Sequence, residues 1–261
     1  MNRRTSPSGR TDIHVHILPA IDDGPADMDE SLALARRAVA DGTSCVIATP
    51  HVDRIEVLDV AEHVADLRST LAAEGVALEV LPGGELNVAD LWALDERRLA
   101  AIAQGPPGAR WILLEPPWKG DADETVAAAA ELAARGYGAV IAHPERSEPL
   151  WSSDDAITRL TSDGACLQVT AASLLLGAHH PVGARAWQIV RGEELAVLAS
   201  DAHDANSRPP DLAFAATALA EAGLPWPWIT TLFPAGQRRG CAVSAPRLGD
   251  ASAARSTSRS G

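Results

Sequence analysis

The sequence predicts an α/β protein built on a parallel sheet, and three observations predict it. Short apolar, β-branched segments alternate with longer helical patterns along a chain of 261 residues. No long linker interrupts that alternation between about residues 11 and 222. Six of the seven strand-like segments end in His, Asp or Glu, and in parallel α/β folds the carboxyl ends of the strands share one rim. A sheet of this length, covered by helices, can close into a barrel.

The first strand is Asp12–His16. A helix follows from near Asp27, with Glu30 at capping-box spacing, an expected buried stripe of Met28, Leu32, Ala35 and Val39, and Gly42 as its stop. The second strand, Cys45–Thr49, leads through Pro50 to His51 and then to a helix near Asp59–Glu74. The third, Leu78–Leu81, leads to Gly83, Gly84 and Glu85. The fourth, Trp111–Leu114, ends at Glu115, and helix Ala122–Arg135 follows, closed by Gly136. The fifth, Ala139–Ala142, runs into His143-Pro-Glu-Arg146, and the sixth, Cys166–Val169, into Thr170. The seventh, Leu195–Ala199, ends at Ser200-Asp201-Ala-His203, and a last helix covers about Asp211–Ala222. Residues 1–10 and 236–261, rich in Ser, Arg, Gly and Ala, read as disordered tails around one domain at 11–235.

The rim therefore collects His14, His16, Asp23, His51, Glu85, Glu115, His143, Asp201 and His203, with Asp22 competing with Asp23 for one role. His14 and His16 alternate in an extended segment, so both imidazoles face one side. Nine donors are too many for one cation and suit two or three that share a carboxylate. Imidazole and carboxylate without thiolate admit Mn, Fe or Zn. Paired metals clamp the attacking and leaving oxygens of a phosphoryl displacement, which points to a metal-dependent hydrolase. Arg146 and Arg208 should overlook the same rim, as phosphate binders or as salt-bridge partners of its acids. Trp118 either walls the pocket or covers the edge of the barrel, and His63, His179 and His180 read as surface residues.

Composition narrows the partners. A formal net charge of −13 with no basic stripe argues against nucleic acid. No stretch reaches the roughly 20 apolar residues of a membrane helix, and residues 1–11 carry no apolar signal region, so a cytoplasmic protein without membrane insertion is expected. Three cysteines make no disulfide framework, and Cys45 and Cys166 read as small core residues. Cys241 and Arg247 match the bare spacing of cysteine-dependent phosphatases, but no strand or helix pattern surrounds them, and the match is read as coincidence.

Six stretches together carry a resemblance. They are Asp-Ile-His-Val-His-Ile-Leu-Pro-Ala-Ile-Asp-Asp-Gly (12–24), Ala-Thr-Pro-His (48–51), Pro-Gly-Gly-Glu (82–85), Leu-Leu-Glu-Pro-Pro (113–117), Ile-Ala-His-Pro-Glu-Arg (141–146) and Ala-Ser-Asp-Ala-His (199–203). They resemble the polymerase and histidinol phosphatase (PHP) superfamily, and within it the manganese-dependent protein-tyrosine phosphatases of bacterial capsule and exopolysaccharide operons. The resemblance implies a distorted seven-stranded (β/α) barrel and a trinuclear site. It assigns His14, His16, Glu85 and Asp201 to one metal, with Glu85 bridging to a second held by Glu115 and His143. Asp23, His51 and His203 would hold the third, which selects Asp23 over Asp22. It makes Arg146 and Arg208 the phosphate binders, with Glu85 the shared carboxylate of the catalytic group.

The implied reaction is hydrolysis of a phosphate monoester by a metal-bridging hydroxide, on phosphotyrosine of a protein such as a bacterial tyrosine kinase of polysaccharide export. A small-molecule phosphatase acting on histidinol phosphate, a nuclease-type phosphodiesterase and a non-catalytic metal-binding regulator are the alternatives. Two or three divalent ions are expected, manganese first, and an oligomer is compatible with the sequence. The chain departs from the family at Pro116, where an aromatic residue is usual, at Ala172, where glycine is usual, and from about Pro225 onward.

Overall fold

The computed structural model describes residues 9–105, 107–153, 155–192 and 196–224. Residues 1–8 and 225–261, which include most of both expected tails, Cys241 and Arg247, lie outside the described residues, as does Leu195 at the start of the seventh expected strand.

Eight strands and nine α-helices follow one another in the expected alternation among the described residues. The strands are β1 (Arg10–Val15), β2 (Thr43–Ala48), β3 (Glu79–Pro82), β4 (Glu85–Asn87), β5 (Trp111–Glu115), β6 (Gly138–Ala142), β7 (Cys166–Thr170) and β8 (Ala196–Ala199). The helices are α1 (Met28–Ala40), α2 (Val60–Ala73), α3 (Glu96–Ile102), α4 (Ala122–Ala134), α5 (Glu148–Ser152), α6 (Ala156–Ser162), α7 (Ala171–Leu175), α8 (Pro181–Arg191) and α9 (Leu212–Glu221). β1 starts at Arg10, inside the span expected as tail.

The cap of α1 forms as its spacing predicts. The Asp27 carboxylate accepts from Glu30 N–H at 3.0 Å, while the Glu30 carboxylate accepts from Ala26 N–H at 2.8 Å. The stripe is shifted from the expected one: Leu32 and Ala35 are buried with Ser31, Leu34 and Ala38, but Val39 is exposed. Apolar identity alone does not fix the rotation of the helix, and a shift of part of a turn leaves Val39 on the solvent side.

All strand pairs are parallel and form two sheets, β1-β2-β3 and β4-β5-β6-β7-β8. The expected parallel α/β architecture is present. Regular pairing does not run through seven strands: the third expected strand is present as β3, and beyond Gly83-Gly84 a short strand that was not expected, β4, starts the second sheet. A Cβ on Gly83 would come within 2.5 Å of the Ile47 side chain, and one on Gly84 within 2.8 Å of Ile102. The chain can step from one sheet to the other there only with glycine.

Isolated bridges span both seams between the sheets. At one, Val15 bridges Ala202, Ala202 C=O accepts from His16 N–H at 2.9 Å, and His14 C=O accepts from Asp201 N–H at 2.9 Å. At the other, His51 bridges Glu85, whose N–H donates to Pro50 C=O at 3.0 Å.

Both sheets face one shared core. Ile13 and Ile47 come from the first sheet, and Trp111, Leu113, Val140, Ala142, Cys166, Val197 and Ala199 from the second, with Leu81 packed against them. Along β5 the inner face reads Trp111, Leu113, Glu115, and along β7 it reads Cys166, Gln168, Thr170. Apolar side chains thus fill the amino-terminal half and polar ones appear at the carboxyl ends. Helices pack outside on two further apolar layers, one under each sheet.

Asp12, fully buried, ties the two sheets together. Its Oδ1 accepts from Ser200 N–H at 3.0 Å and from His14 N–H at 3.4 Å, while Oδ2 is buried without a hydrogen-bond partner. Burial, offset in part by the Ser200 and His14 hydrogen bonds, pushes its carboxyl up to about 6. The folded chain therefore holds this proton more tightly than the unfolded chain. The stabilising contribution is complete below the usual carboxylate value and is lost as pH rises through about 6. Chelator-treated protein is expected to lose about 2 kcal/mol relative to Asp12→Asn between about pH 4 and pH 7. Denaturant melts of both proteins across that range check this, and parallel curves would refute it.

Candidate metal centre

The carboxyl ends of the strands deliver all nine expected rim residues to one cluster. They fall into four overlapping groups whose donor atoms lie within 4.8 Å of one another: His16, Asp23, His51 and His203; His14, His16 and Asp201; His14, Glu85 and His143; His51, Glu85 and Glu115. None of the nine points elsewhere. His63 is half-buried on α2, and His179 and His180 are exposed ahead of α8, outside the cluster.

Glu85 is the hub. Its Oε2 lies 3.1 Å from His16 Nε2, 3.2 Å from His14 Nε2 and 3.3 Å from His51 Nδ1, and its Oε1 lies 2.9 Å from His143 Nε2. Asp201 Oδ1 is 3.4 Å from His14 Nε2. Asp23 Oδ1 is 3.1 Å from His203 Nε2 and 3.5 Å from His51 Nε2. Glu115 approaches more loosely, 3.8 Å from His51 and 3.9 Å from His143.

Local backbone geometry aims these groups. The β1–β2 register shifts between Asp12 and Val15, which turns His14 and His16 into the cluster. His143 and Asp201 take left-handed backbone at φ 30° and 54°. Both leave the alternation of their strands there, and such strain in non-glycine residues is retained where the surroundings fix it.

A further set of residues orients the imidazoles. Asp22 Oδ2 accepts from His16 Nδ1 at 2.7 Å and from His51 N–H at 3.0 Å, and Oδ1 accepts from Gly24 N–H at 3.0 Å. Asp22 is therefore an orienting acid, and Asp23 is the one whose carboxylate meets the cluster. Gln168 Oε1 accepts from His14 Nδ1 at 2.8 Å and from His143 N–H at 3.2 Å, while Asp201 C=O accepts from His203 Nδ1 at 2.9 Å. In all three histidines Nδ1 is engaged outward and Nε2 faces the cluster. Asn87 Nδ2 donates to Glu115 Oε2 at 3.3 Å. Sequence reasoning missed Gln168 and Asn87. The one available signal for Gln168 was a polar residue on the inner face of an apolar strand.

Charge in the cluster is concentrated and buried. Burial raises the Glu85 carboxyl, but the His14 charge and hydrogen bonds from His14, His143 and His16 outweigh it and hold the group well below the usual range. Burial lowers His16, yet Asp22 and Glu85 lift it to about 10. His14 is raised in the same way by Glu85 and Asp201. Asp22 is held at about 2 by its hydrogen bond from His16, against its burial. Asp201 is lowered against its burial by His14, His143 and Arg146. Burial, then the Glu85 charge, raises Glu115, while burial and the His16 charge push His203 down to about 4. Buried His203 Nε2 has no hydrogen-bond partner.

The arginines stand at the mouth. Arg146 Nη1 donates to Asp201 Oδ2 at 2.6 Å, and Arg208 donates to the same oxygen at 3.1 Å and to Asp23 Oδ2 at 3.2 Å. Both overlook the rim and both are paired with its acids. The Trp118 indole lies beside His143, with ring centroids 6.0 Å apart and planes inclined by 30°.

The donor set fits divalent transition metals. Five imidazoles and four carboxylates converge with overlapping groups and no thiolate, and buried His203 Nε2 makes no hydrogen bond among the described residues. An α/β protein with a carboxylate-and-imidazole basket at the carboxyl ends of parallel strands is the class that fold and site define.

The chain belongs to the capsular polysaccharide synthesis family CpsB/CapC, whose sequence profile matches residues 10–222. It is 34% identical over 203 residues to the tyrosine-protein phosphatase YwqE of Bacillus subtilis, covering 76% of this chain and 78% of that one. It is 28% identical over 204 residues to the putative tyrosine-protein phosphatase CapC of Staphylococcus aureus, covering 76% and 78%. Among solved structures, one chain from the pair YwqE from Bacillus subtilis and CpsB from Streptococcus pneumoniae, described as metal-dependent tyrosine phosphatases, matches with a TM-score of 0.70 at 32% identity, over 81% of this chain and 87% of the other. The phosphotriesterase homology protein of Escherichia coli shares the fold alone, with a TM-score of 0.58 at 14% identity over 86% of this chain and 96% of the other. The resemblance read from the six motifs is borne out. Among the described residues, no helix is long and apolar enough to cross a membrane.

Proposed function

We propose that this chain is a metal-dependent phosphomonoester hydrolase acting on phosphotyrosine in proteins, in the cytoplasm, with a tyrosine kinase of polysaccharide synthesis as its partner. The observation that carries this reading is the convergence of nine donor residues, Glu85 among them, on one cluster, and membership in a family whose relatives are named tyrosine phosphatases supports it.

Two or three divalent ions, manganese first, are the proposed cofactors. His14, His16, Glu85 and Asp201 would hold one, Glu85, Glu115 and His143 a second, and Asp23, His51 and His203 a third. The bridges at both seams support the reading of the two sheets as a distorted seven-stranded barrel, with β3 and β4 as one divided strand. When bound, the ions supply Lewis acidity toward the phosphoryl oxygens and a nucleophilic oxygen at neutral pH.

The remaining work falls to the chain. Arg146 and Arg208 each use one face on Asp201 and keep further N–H donors for a phosphate dianion, which their planar forks suit. Asp22 and Gln168 keep the Nε2 atoms of His16 and His14 directed inward. Glu85, whose carboxyl is held well below the usual range by the charge and hydrogen bonds of the surrounding imidazoles, is the carboxylate shared between two of the donor groups.

Chelator treatment is expected to reduce turnover of a phosphotyrosine peptide by about 10³-fold, the scale of several kcal/mol of transition-state stabilisation, and Mn²⁺ should restore it. Kinetics with the peptide, with histidinol phosphate and with single-stranded DNA test the reading. Chelator-resistant turnover, or a preference for either of the other two substrates, overturns it.

A further inference from the structure

We propose that Trp118 is the specificity-determining residue of this site, a stacking platform that selects the aromatic ring of an aryl phosphate. The inference rests on the phosphatase reading and names the part of the substrate that the pocket recognises.

Several large apolar side chains are exposed among the described residues, including Trp92, Leu175, Leu176 and Phe214. Of these, Trp118 alone is in ring contact with a rim residue, His143. Its indole is 57% exposed, although tryptophan is well buried on average. It follows Glu115 by three positions, so strand β5 delivers a rim acid and this ring to the same edge.

The loop that carries it is braced. Pro116 and Pro117 restrict its backbone. Pro117 C=O accepts from Ser147 Oγ at 2.8 Å, and Trp118 C=O accepts from Glu148 N–H at 3.4 Å. Ser147 directly follows Arg146, so the segment bearing a phosphate-binding candidate also holds the indole in place. Rigid aromatic surface held next to a charged cluster matches a ligand that is charged at one end and aromatic at the other. In an aryl phosphate the ring begins one ester oxygen from phosphorus. A ring leaving the cluster on the His143 side passes the exposed indole face. Alkyl esters such as phosphoserine offer nothing to stack there.

Phenylphosphonate and methylphosphonate, which are not hydrolysed, read this preference by titration calorimetry on the Mn²⁺-loaded full chain. Trp118→Ala is expected to weaken phenylphosphonate about tenfold, within the range of aromatic stacking plus lost burial, and Trp118→Phe about threefold or less. Methylphosphonate affinity should stay within about twofold in both variants, because the phosphoryl contacts are untouched. The ratio of kcat/KM for phosphotyrosine over phosphoserine peptides should fall by a similar factor in Trp118→Ala. Equal weakening of both phosphonates would make Trp118 a support for His143, and that result, or unchanged phenylphosphonate binding, overturns the proposal. Failure of the phosphatase reading looks different: the unaltered chain then shows no Mn²⁺-dependent turnover of either peptide, while the phosphonate comparison still reports on Trp118.

Discussion

Replacement of Glu85 by alanine is expected to lower kcat/KM for a phosphotyrosine peptide by about 10³-fold or more, the largest effect foreseen for any single change. The carboxylate meets four imidazoles, His14, His16 and His51 through one oxygen and His143 through the other. Its removal takes a donor from two of the four overlapping ligand groups at once. It also leaves a buried cluster with less negative charge than its imidazoles need, and breaking a buried ionic network costs about 3–5 kcal/mol of stability. Glu85→Gln separates the two effects, since it keeps the volume and hydrogen bonding but not the charge. That variant should fold, as read by circular dichroism, while binding fewer manganese ions per chain by elemental analysis. Wild-type metal content with undiminished turnover in Glu85→Gln would remove Glu85 from the centre of the site.

Arg146→Ala is expected to cost about 10²–10³-fold in kcat/KM, the scale of losing one preorganised donor to a developing oxyanion. Arg146 is largely shielded, with a side chain 20% exposed, and is pinned to Asp201 at 2.6 Å. Its remaining donors are therefore fixed in direction before substrate arrives. Arg146→Lys should recover only part of the loss, because a single ammonium cannot present a planar fork. Metal content should not change, since the nine donors are intact. The loss in Arg208→Ala should be smaller, because that side chain is 42% exposed and must be ordered on binding. Steady-state kinetics with metal analysis of the same preparations check these expectations. An Arg146→Ala enzyme with unaltered kcat/KM would assign that guanidinium to the Asp201 salt bridge alone.

Much of this architecture was legible from residue order. Strand ends could be read because β-branched runs stop at charged or imidazole side chains, as at Ala142-His143 and Ala199-Ser200-Asp201. Those sites need no long-range information: the chain itself announces that an apolar strand has reached a polar rim. The extra strand β4 and the break between the sheets before it were not legible, although Gly83-Gly84 marked the place. Two glycines say that something approaches closely, but not that the chain changes sheets there. Helices α3, α5, α6 and α7 are each five to seven residues long, too short to display a helical period. At the site, periodicity could not choose between Asp22 and Asp23. That choice came from family resemblance, and it depends physically on which carboxylate His16 Nδ1 reaches. Gln168 acts through a contact 154 residues distant in sequence, which no local pattern reports.

The seams between the two sheets coincide with the rim. His14, His16 and Asp201 flank one of them, and His51 and Glu85 form the other. Cations seated among these residues would act as rivets across joints that the backbone fastens sparsely. Any sliding of one sheet against the other then changes donor spacing directly, with no intervening scaffold to absorb it. A substitution far from the rim that loosens either joint would reach catalysis through geometry alone, and directed evolution of this scaffold should find its distal activity-altering mutations along those two lines.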